Sequence, residues 1–72
     1  MKGKDTFTAA EIADLRELIR LRVKAHTKSE QKRIRDKMRK IGFYGGDDWG
    51  IRDCQETDLD RLISCGQIKI QD

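Results

Sequence analysis

Apolar residues recur with the period of a helix over residues 9–24 or 9–25. Thr8 and Glu11 have the spacing of a capping box, and Phe7 and Ile12 have the spacing of the hydrophobic staple that often accompanies one. These four residues predict where the first helix begins. Its apolar positions cover a wide arc, which predicts a central helix with neighbours on more than one side. They are Ile12, Leu15, Leu18, Ile19, Leu21 and Val23.

A narrower apolar stripe predicts a second helix, which begins at about residues 28–30 and ends at Ile41. Thr27 and Glu30 have capping-box spacing, and Ser29 is a rival N-cap. Gly42 suits the position just after the helix, because glycine adopts the left-handed backbone there without a steric penalty. The stripe consists of Ile34, Met38 and Ile41.

The segment RDCQETDLDRLISCG, residues 52–66, predicts a third helix. Asp53 with Glu56, and Thr57 with Asp60, are rival capping pairs at its start. A glycine again follows the apolar pattern, at residue 66, and is expected to end the helix. The inward face is predicted to consist of Leu59, Leu62 and Ile63.

Two short strands, 42–44 and 49–51, are predicted between the second and third helices, joined by a four-residue loop. This loop would place Tyr44 opposite Trp49 as a cross-strand aromatic pair. A two-residue Gly-Gly turn, which would pair Tyr44 with Asp47, is the alternative.

In the final segment, QIKI, polar residues alternate with isoleucines, which predicts a further strand with Ile68 and Ile70 facing inward. The predicted fold class is therefore α+β: three helices with a short two- or three-stranded antiparallel ribbon, in the order α-α-β-β-α-β. This order is similar in outline to winged-helix units. Residues 1–6 are expected to form a flexible tail, and residues 7–72 a single compact domain.

Size and composition limit what this chain can be. Its 72 residues, of which 40% are charged and 36% hydrophobic, allow one small domain with a thin core. A core of this size rarely contributes more than about 3–5 kcal/mol. No apolar run resembles a signal peptide or a transmembrane helix. We therefore predict a cytoplasmic protein with reduced cysteines.

Charge is strongly separated along the chain, although the net charge is only +3. Residues 20–40 carry ten basic and two acidic side chains, whereas residues 41–72 have a net charge of −4. At 100° per residue, four basic residues of the second helix fall within roughly 60° of one another. That face consists of Lys28, Lys32, Arg35 and Arg39, and the first helix carries a ridge of Arg16, Arg20 and Lys24.

A basic surface of this kind predicts a non-enzymatic module that binds nucleic acid, DNA or RNA, through its phosphates. The predicted contact residues are Arg20, Lys24, Lys28, Lys32, Arg35, Arg39 and Lys40, with Tyr44 at a base. One alternative is a solvated face, helped by pairs such as Lys32 with Asp36. Others are an acidic protein surface or an anionic membrane surface.

Self-association is the principal alternative function. The basic second helix of one copy could meet the acidic third helix of another copy and form a homo-oligomer. The same charges could instead pair within one chain and hold the fold together.

Groups capable of catalysis or metal binding are sparse. His26 is the only histidine, and no partner for it or for Cys54 has a catalytic spacing. Asp47 and Asp48 are adjacent, so they would point to opposite faces of an extended chain. The sequence GGDDWG, residues 45–50, matches neither a P-loop nor the dinucleotide-binding fingerprint. We therefore predict no enzymatic activity, no metal and no cofactor.

The remaining conspicuous side chains are expected to be structural. Phe43 and Trp49 are predicted core anchors, because the chain is short of large apolar residues. Tyr44 is expected to be the most exposed of these three aromatic residues. Cys54 and Cys65 are expected to be small buried or half-buried residues.

Overall fold

Residues 2–71 are described by a computed structural model, in which helix α1 spans Ala9–Lys24. The helix begins at the predicted capping box. The Thr8 hydroxyl accepts a hydrogen bond from the Glu11 amide at 3.1 Å, and the Thr8 amide donates to the Glu11 carboxylate at 2.9 Å. Phe7 and Ile12, the predicted staple, are both buried. The local sequence therefore defines the start of α1, as expected.

Helix α2 spans Lys28–Ile41 and packs against α1. The Thr27 hydroxyl caps it by accepting a hydrogen bond from the Glu30 amide at 3.2 Å. Gly42 ends the helix in the left-handed region, with φ of 114°. Both ends of α2 lie where the sequence predicts them.

The predicted antiparallel ribbon is wrong. Its residues instead include a short helix, α3, Gly45–Trp49. Asp47 and Asp48 lie in its first turn, where carboxylates stabilise the positive end of a helix, and Gly50 ends it with φ of 70°. A ribbon of two strands is marginally stable alone. The local signals for a helix therefore dominate, and the expected Tyr44–Trp49 pair across two strands is absent.

The strands are β1, Thr6–Phe7, and β2, Lys69–Ile70, and they pair in parallel rather than antiparallel. Thr6 lies opposite Lys69, and Phe7 lies opposite Ile70. The Lys69 amide donates to the Asp5 carbonyl at 2.8 Å. With a fourth helix, α4 (Glu56–Ser64), the observed order over residues 2–71 is β1-α1-α2-α3-α4-β2, which replaces the predicted winged-helix-like order.

Helix α4 spans Glu56–Ser64. Gln55, and not a residue of either predicted capping pair, is the N-cap, and its amide donates to the Asp58 carboxylate at 2.9 Å. Gly66, with φ of 83°, follows the end of the helix as predicted. Leu59 and Leu62 are buried on its inner face.

The core lies between α1, α2 and α4 and extends to the paired strands. It contains the two aromatic side chains Phe7 and Phe43, a tilted pair whose ring centroids lie 6.4 Å apart. Trp49 packs against it half-buried, so both predicted aromatic anchors contact the core. The buried members are Phe7, Ile12, Leu15, Ile19, Met38, Phe43, Cys54, Leu59, Leu62 and Ile68.

Four side chains predicted inside lie at the surface. Leu21, Val23 and Ile70 are 46%, 55% and 48% exposed, and Cys65 is also exposed. Leu21 and Val23 lie near the C-terminal end of α1 on nearly opposite sides of the helix, Leu21 at the edge of α2 and Val23 at the edge of α4. The apolar arc of α1 is therefore narrower in the fold than in the sequence.

Residues 2–4 contact the corner between α2 and α3. The Lys4 amide donates to the Gly42 carbonyl at 2.9 Å, and the Lys2 and Gly3 amides donate to the Asp48 carboxylate at 2.7 and 2.8 Å. These hydrogen bonds hold residues 2–4 against the rest of the fold. The flexible tail expected over residues 1–6 stays a prediction, and residue 1 lies outside the described residues.

Candidate nucleic-acid interface

The basic face of α2, consisting of Lys28, Lys32, Arg35 and Arg39, is exposed along its whole length. Lys28, Lys32 and Arg35 line a shallow depression of about 310 Å³ together with Gln31 and Arg22. We call it the lysine depression. Within residues 2–71, no carboxylate lies within 4.0 Å of the charged groups of Lys28, Lys32 or Arg35. The predicted pair of Lys32 with Asp36 is not formed.

A second depression begins where the first ends, because both are lined by Arg22 and Arg35. This arginine cleft has a volume of about 290 Å³ and lies between α1, α2, α3 and the segment before α4. Its apolar lining includes Met38, Phe43 and Cys54. Its polar lining consists of Arg22, Arg35, Arg39, Arg52 and Tyr44.

The four arginines of the cleft have few anionic neighbours. Arg22 lies 3.7 Å from Asp53, and Arg39 lies 3.9 Å from Asp47. In the part of the chain that the structure describes, Arg35 and Arg52 have no carboxylate within 4.0 Å. Like charges gathered around one cleft repel one another, so a lining of four arginines favours an anion there.

Of the two cleft arginines that form ion pairs, Arg22 is the more enclosed. Its side chain is only 17% exposed, against 41% for Arg39. It donates a hydrogen bond to the Arg52 carbonyl at 3.3 Å, which holds the segment before α4 beside α1. Shielding from water strengthens the field of a charge, so Arg22 contributes to the positive potential of the cleft beside its pair with Asp53.

Tyr44 lines the cleft but is half-buried rather than freely exposed. The Arg39 guanidinium lies over its ring, 5.5 Å from the centroid, in a cation–π contact. The two side chains therefore support each other at the rim. Tyr44 was predicted to contact a base, and its position in the cleft leaves that contact a prediction.

The ridge of α1 does not join this surface. The Arg20 Nε donates to the Glu56 carboxylate at 2.8 Å, and the Arg16 guanidinium donates to Asp60 at 2.8 Å. The hydrogen bond to Asp60 raises the pKa of Arg16, and the same bond lowers the pKa of Asp60. Arg16 and Arg20 are therefore used to attach α4 to α1.

Lys24 and Lys40, the other predicted contacts, lie at the margins. Lys24 borders a different depression of about 450 Å³, beside Val23 and Glu56. Lys40 is exposed but borders neither the arginine cleft nor the lysine depression. The structure therefore brings together Lys28, Lys32, Arg35, Arg39 and Tyr44 and leaves Arg20, Lys24 and Lys40 outside the group.

Sequence reasoning missed Arg22 and Arg52. Arg22 follows the core residue Leu15 by seven positions, so it lies on the same side of α1, where an arginine is out of place in an apolar pattern. That position was a usable signal. Arg52 has no comparable signal, because only the path of the chain after α3 brings it to the cleft.

The two aspartates considered for metal binding have other partners: Asp47 lies 3.9 Å from Arg39, and Asp48 accepts hydrogen bonds from two backbone amides. Over residues 2–71, no three His, Cys, Asp or Glu side chains converge as metal ligands. Burial, and secondarily the charge of Asp58, raise the pKa of the Cys54 thiol to about 11, so it stays protonated at neutral pH. His26 is exposed between α1 and α2.

None of the helices described in residues 2–71 has the length and apolar character needed to cross a membrane.

Comparison of this chain with known proteins finds no matching family, no matching curated protein and no matching solved structure.

Proposed function

We propose that this protein is a non-enzymatic module that binds nucleic acid through the basic face of α2 and the adjoining arginine cleft. The proposal rests on one observation, the distribution of charge after folding. Helix α4 directs Glu56 and Asp60 toward Arg20 and Arg16 of α1, and not toward the basic face of α2. The cations of α2 and the cleft are therefore left largely without internal counter-charges.

The length of this surface matches a short run of phosphates. From Lys28 to Arg39, α2 extends about 16 Å at 1.5 Å per residue. One nucleic-acid strand carries a charge about every 3.4 Å along the helix axis, so about five phosphates lie within reach. Neutralising five phosphates predicts a slope of log K against log salt of about −3.5 for single strands and about −4.5 for duplex.

The test is a salt-dependent titration of labelled DNA and RNA, followed by fluorescence anisotropy. The double variant K32Q/R35Q removes two charges from the basic face, and R33Q/K37Q removes two charges from the opposite side of the same helix. We expect K32Q/R35Q to flatten the salt slope by about 1.5, and R33Q/K37Q to leave it nearly unchanged. Absence of binding at about 50 mM salt, or equal effects of the two variants, would contradict the proposal.

The self-association alternative uses the acidic residues of α4 as the contact for a second copy. Glu56 and Asp60 already contact Arg20 and Arg16 of the same chain at 2.8 Å. A partner's basic helix would have to displace these pairs, which favours nucleic-acid binding over self-association. Sedimentation equilibrium at low and high salt separates the two, since only self-association gives a dimer that loosens as salt rises.

A further inference from the structure

We propose that the arginine cleft is a binding site for a nucleotide phosphomonoester, meaning a phosphate at the end of a strand or on a free mononucleotide. This inference rests on the proposed function for its choice of a nucleotide as the ligand. It adds to that function a distinction between terminal and internal phosphates.

The charge of the cleft matches a dianion better than a monoanion. Four arginines line it, and two of them, Arg22 and Arg39, have a carboxylate within 4.0 Å. Two positive charges therefore remain without a counter-charge in the described chain. A phosphomonoester carries about −1.5 to −2 at neutral pH, whereas each internal phosphodiester carries only one negative charge. The monoester comes closer to neutralising the cleft.

The chemistry of the cationic groups also suits a phosphate with several free oxygens. A guanidinium group offers a planar fork of donors that bonds two phosphate oxygens at once. A terminal phosphate presents three free oxygens, and an internal one presents two. Arg35 and Arg52, which have no carboxylate within 4.0 Å among residues 2–71, can bond the phosphate without breaking an ion pair.

The size and lining of the cleft indicate a single nucleotide. Its volume of about 290 Å³ lies just below the roughly 300–1,000 Å³ typical of small-molecule sites. Half-buried Tyr44 and Ile51 supply apolar surface for a sugar or a base edge, above buried Met38 and Phe43. The Arg39–Tyr44 contact adds a planar cationic group at the rim, and guanidinium planes are known to stack on bases.

The experiment compares one short single-stranded oligonucleotide in three forms: with a 5′-phosphate, with a 3′-phosphate, and with hydroxyls at both ends. We expect at least one phosphorylated form to bind the wild-type protein about tenfold more tightly than the hydroxyl form. The preference should shrink as the pH falls from about 7.5 to about 5.5, because the second pKa of the phosphate is about 6 and arginine stays charged.

Three variants identify the site. Arg52→Gln should abolish the preference for the phosphorylated form, since Arg52 lies in the cleft but not on α2. Lys32→Gln should weaken all forms alike, and Arg33→Gln should keep the wild-type preference. Because the side chain of Arg52 is exposed and has no ion pair in residues 2–71, its loss should leave the melting temperature unchanged.

Equal affinity for all three oligonucleotides, or a preference that survives Arg52→Gln, would overturn the inference. If no oligonucleotide binds, the proposed function fails, and adenosine 5′-monophosphate compared with adenosine decides the inference by itself. Tighter binding of the monophosphate that Arg52→Gln abolishes would support the cleft as a phosphomonoester site. Absence of that difference would reject it.

Discussion

The carboxylate of Asp48 accepts a hydrogen bond from the Gly3 backbone amide at 2.8 Å, across 45 residues of sequence. A second bond, from the Lys2 amide at 2.7 Å, reaches the other carboxylate oxygen. Asp48 belongs to α3, so this side chain ties the start of the chain to the helix that borders the arginine cleft. Within the segment GGDDWG, Asp48 thus acts as a clamp that holds residues 2 and 3 against α3.

Replacing Asp48 by asparagine should release residues 2–4. The amide group keeps one acceptor but turns a donor toward a backbone N–H, and it removes the negative charge. We expect hydrogen exchange at Gly3 and tryptic cleavage after Lys4 to become several-fold faster. Asp14→Asn is the matched control, because Asp14 is exposed on α1 and has no ion pair within residues 2–71. Equal exchange in the two variants would contradict the clamp.

Stability should fall in acid because carboxyl groups are stabilised in their charged form. Desolvation raises the pKa of Asp48, but the Lys2 and Gly3 amides and the charge of Lys2 outweigh it, so the net pKa lies below the ordinary 3.8. The bond from Arg16 likewise lowers the pKa of Asp60. A carboxyl group whose pKa is lower in the folded than in the unfolded state stabilises the fold at pH values above its unfolded-state pKa. That stabilisation is lost as the pH falls through its folded-state pKa.

Melting temperatures measured from about pH 5 to about pH 2 should therefore decrease progressively. Asp60→Asn should flatten part of that decrease, since the variant has no carboxyl group to protonate at that site. Asp14→Asn, at an exposed carboxylate with no ion pair within residues 2–71, is the reference. A melting temperature independent of pH in this window would contradict the assignment.

Gly42→Ala should destabilise the fold. The backbone there has φ of 114°, and an added Cβ would lie 2.8 Å from the Cγ of Lys4. A left-handed conformation costs a residue with a side chain about 1–2 kcal/mol. Gly46→Ala is the contrasting variant, because its Cβ would meet only the Ile51 carbonyl oxygen at 3.7 Å, and alanine in a helix gains about 0.5–1 kcal/mol over glycine. Urea denaturation should move the two midpoints in opposite directions.

Leu59→Ala should leave the protein largely unfolded at room temperature. Leu59 is completely buried, and such a truncation costs about 2–5 kcal/mol, which is comparable to the whole stability expected of so small a domain. Leu21→Ala, at a position 46% exposed, should change stability by less than about 0.5 kcal/mol. Circular dichroism of the two variants in urea distinguishes them, and similar midpoints would contradict the placement of the core.

Sequence patterns predicted the two long helices well because their signals are local. The Thr8–Glu11 box and the αL glycine at residue 42 each involve residues within a few positions of one another. Four of the predicted phosphate contacts, Lys28, Lys32, Arg35 and Arg39, are neighbours because the pitch of α2 alone places them on one face.

The misplaced features depend on partners distant in sequence. β1 and β2 are each two residues long and are separated by more than sixty positions. Neither strand is therefore long enough to have a sequence pattern that predicts its pairing partner. The ribbon prediction failed because alternating aromatics and glycines suit a hairpin, whereas Asp47, Asp48 and Gly50 suit a short helix. Asp48 also gains the Gly3 bond only in the folded chain.

Residue spacing was thus sufficient to place the helix ends and to separate basic from acidic segments, because caps, glycines and helical pitch act over one or two turns. It was not sufficient to place charge in space. Packing α4 on α1 engages Arg20 with Glu56, and the chain after α3 brings Arg52 beside Arg22. These long-range contacts arise from burial of the shared core, which is a property of the whole chain, and they decide which cations stay available to a ligand.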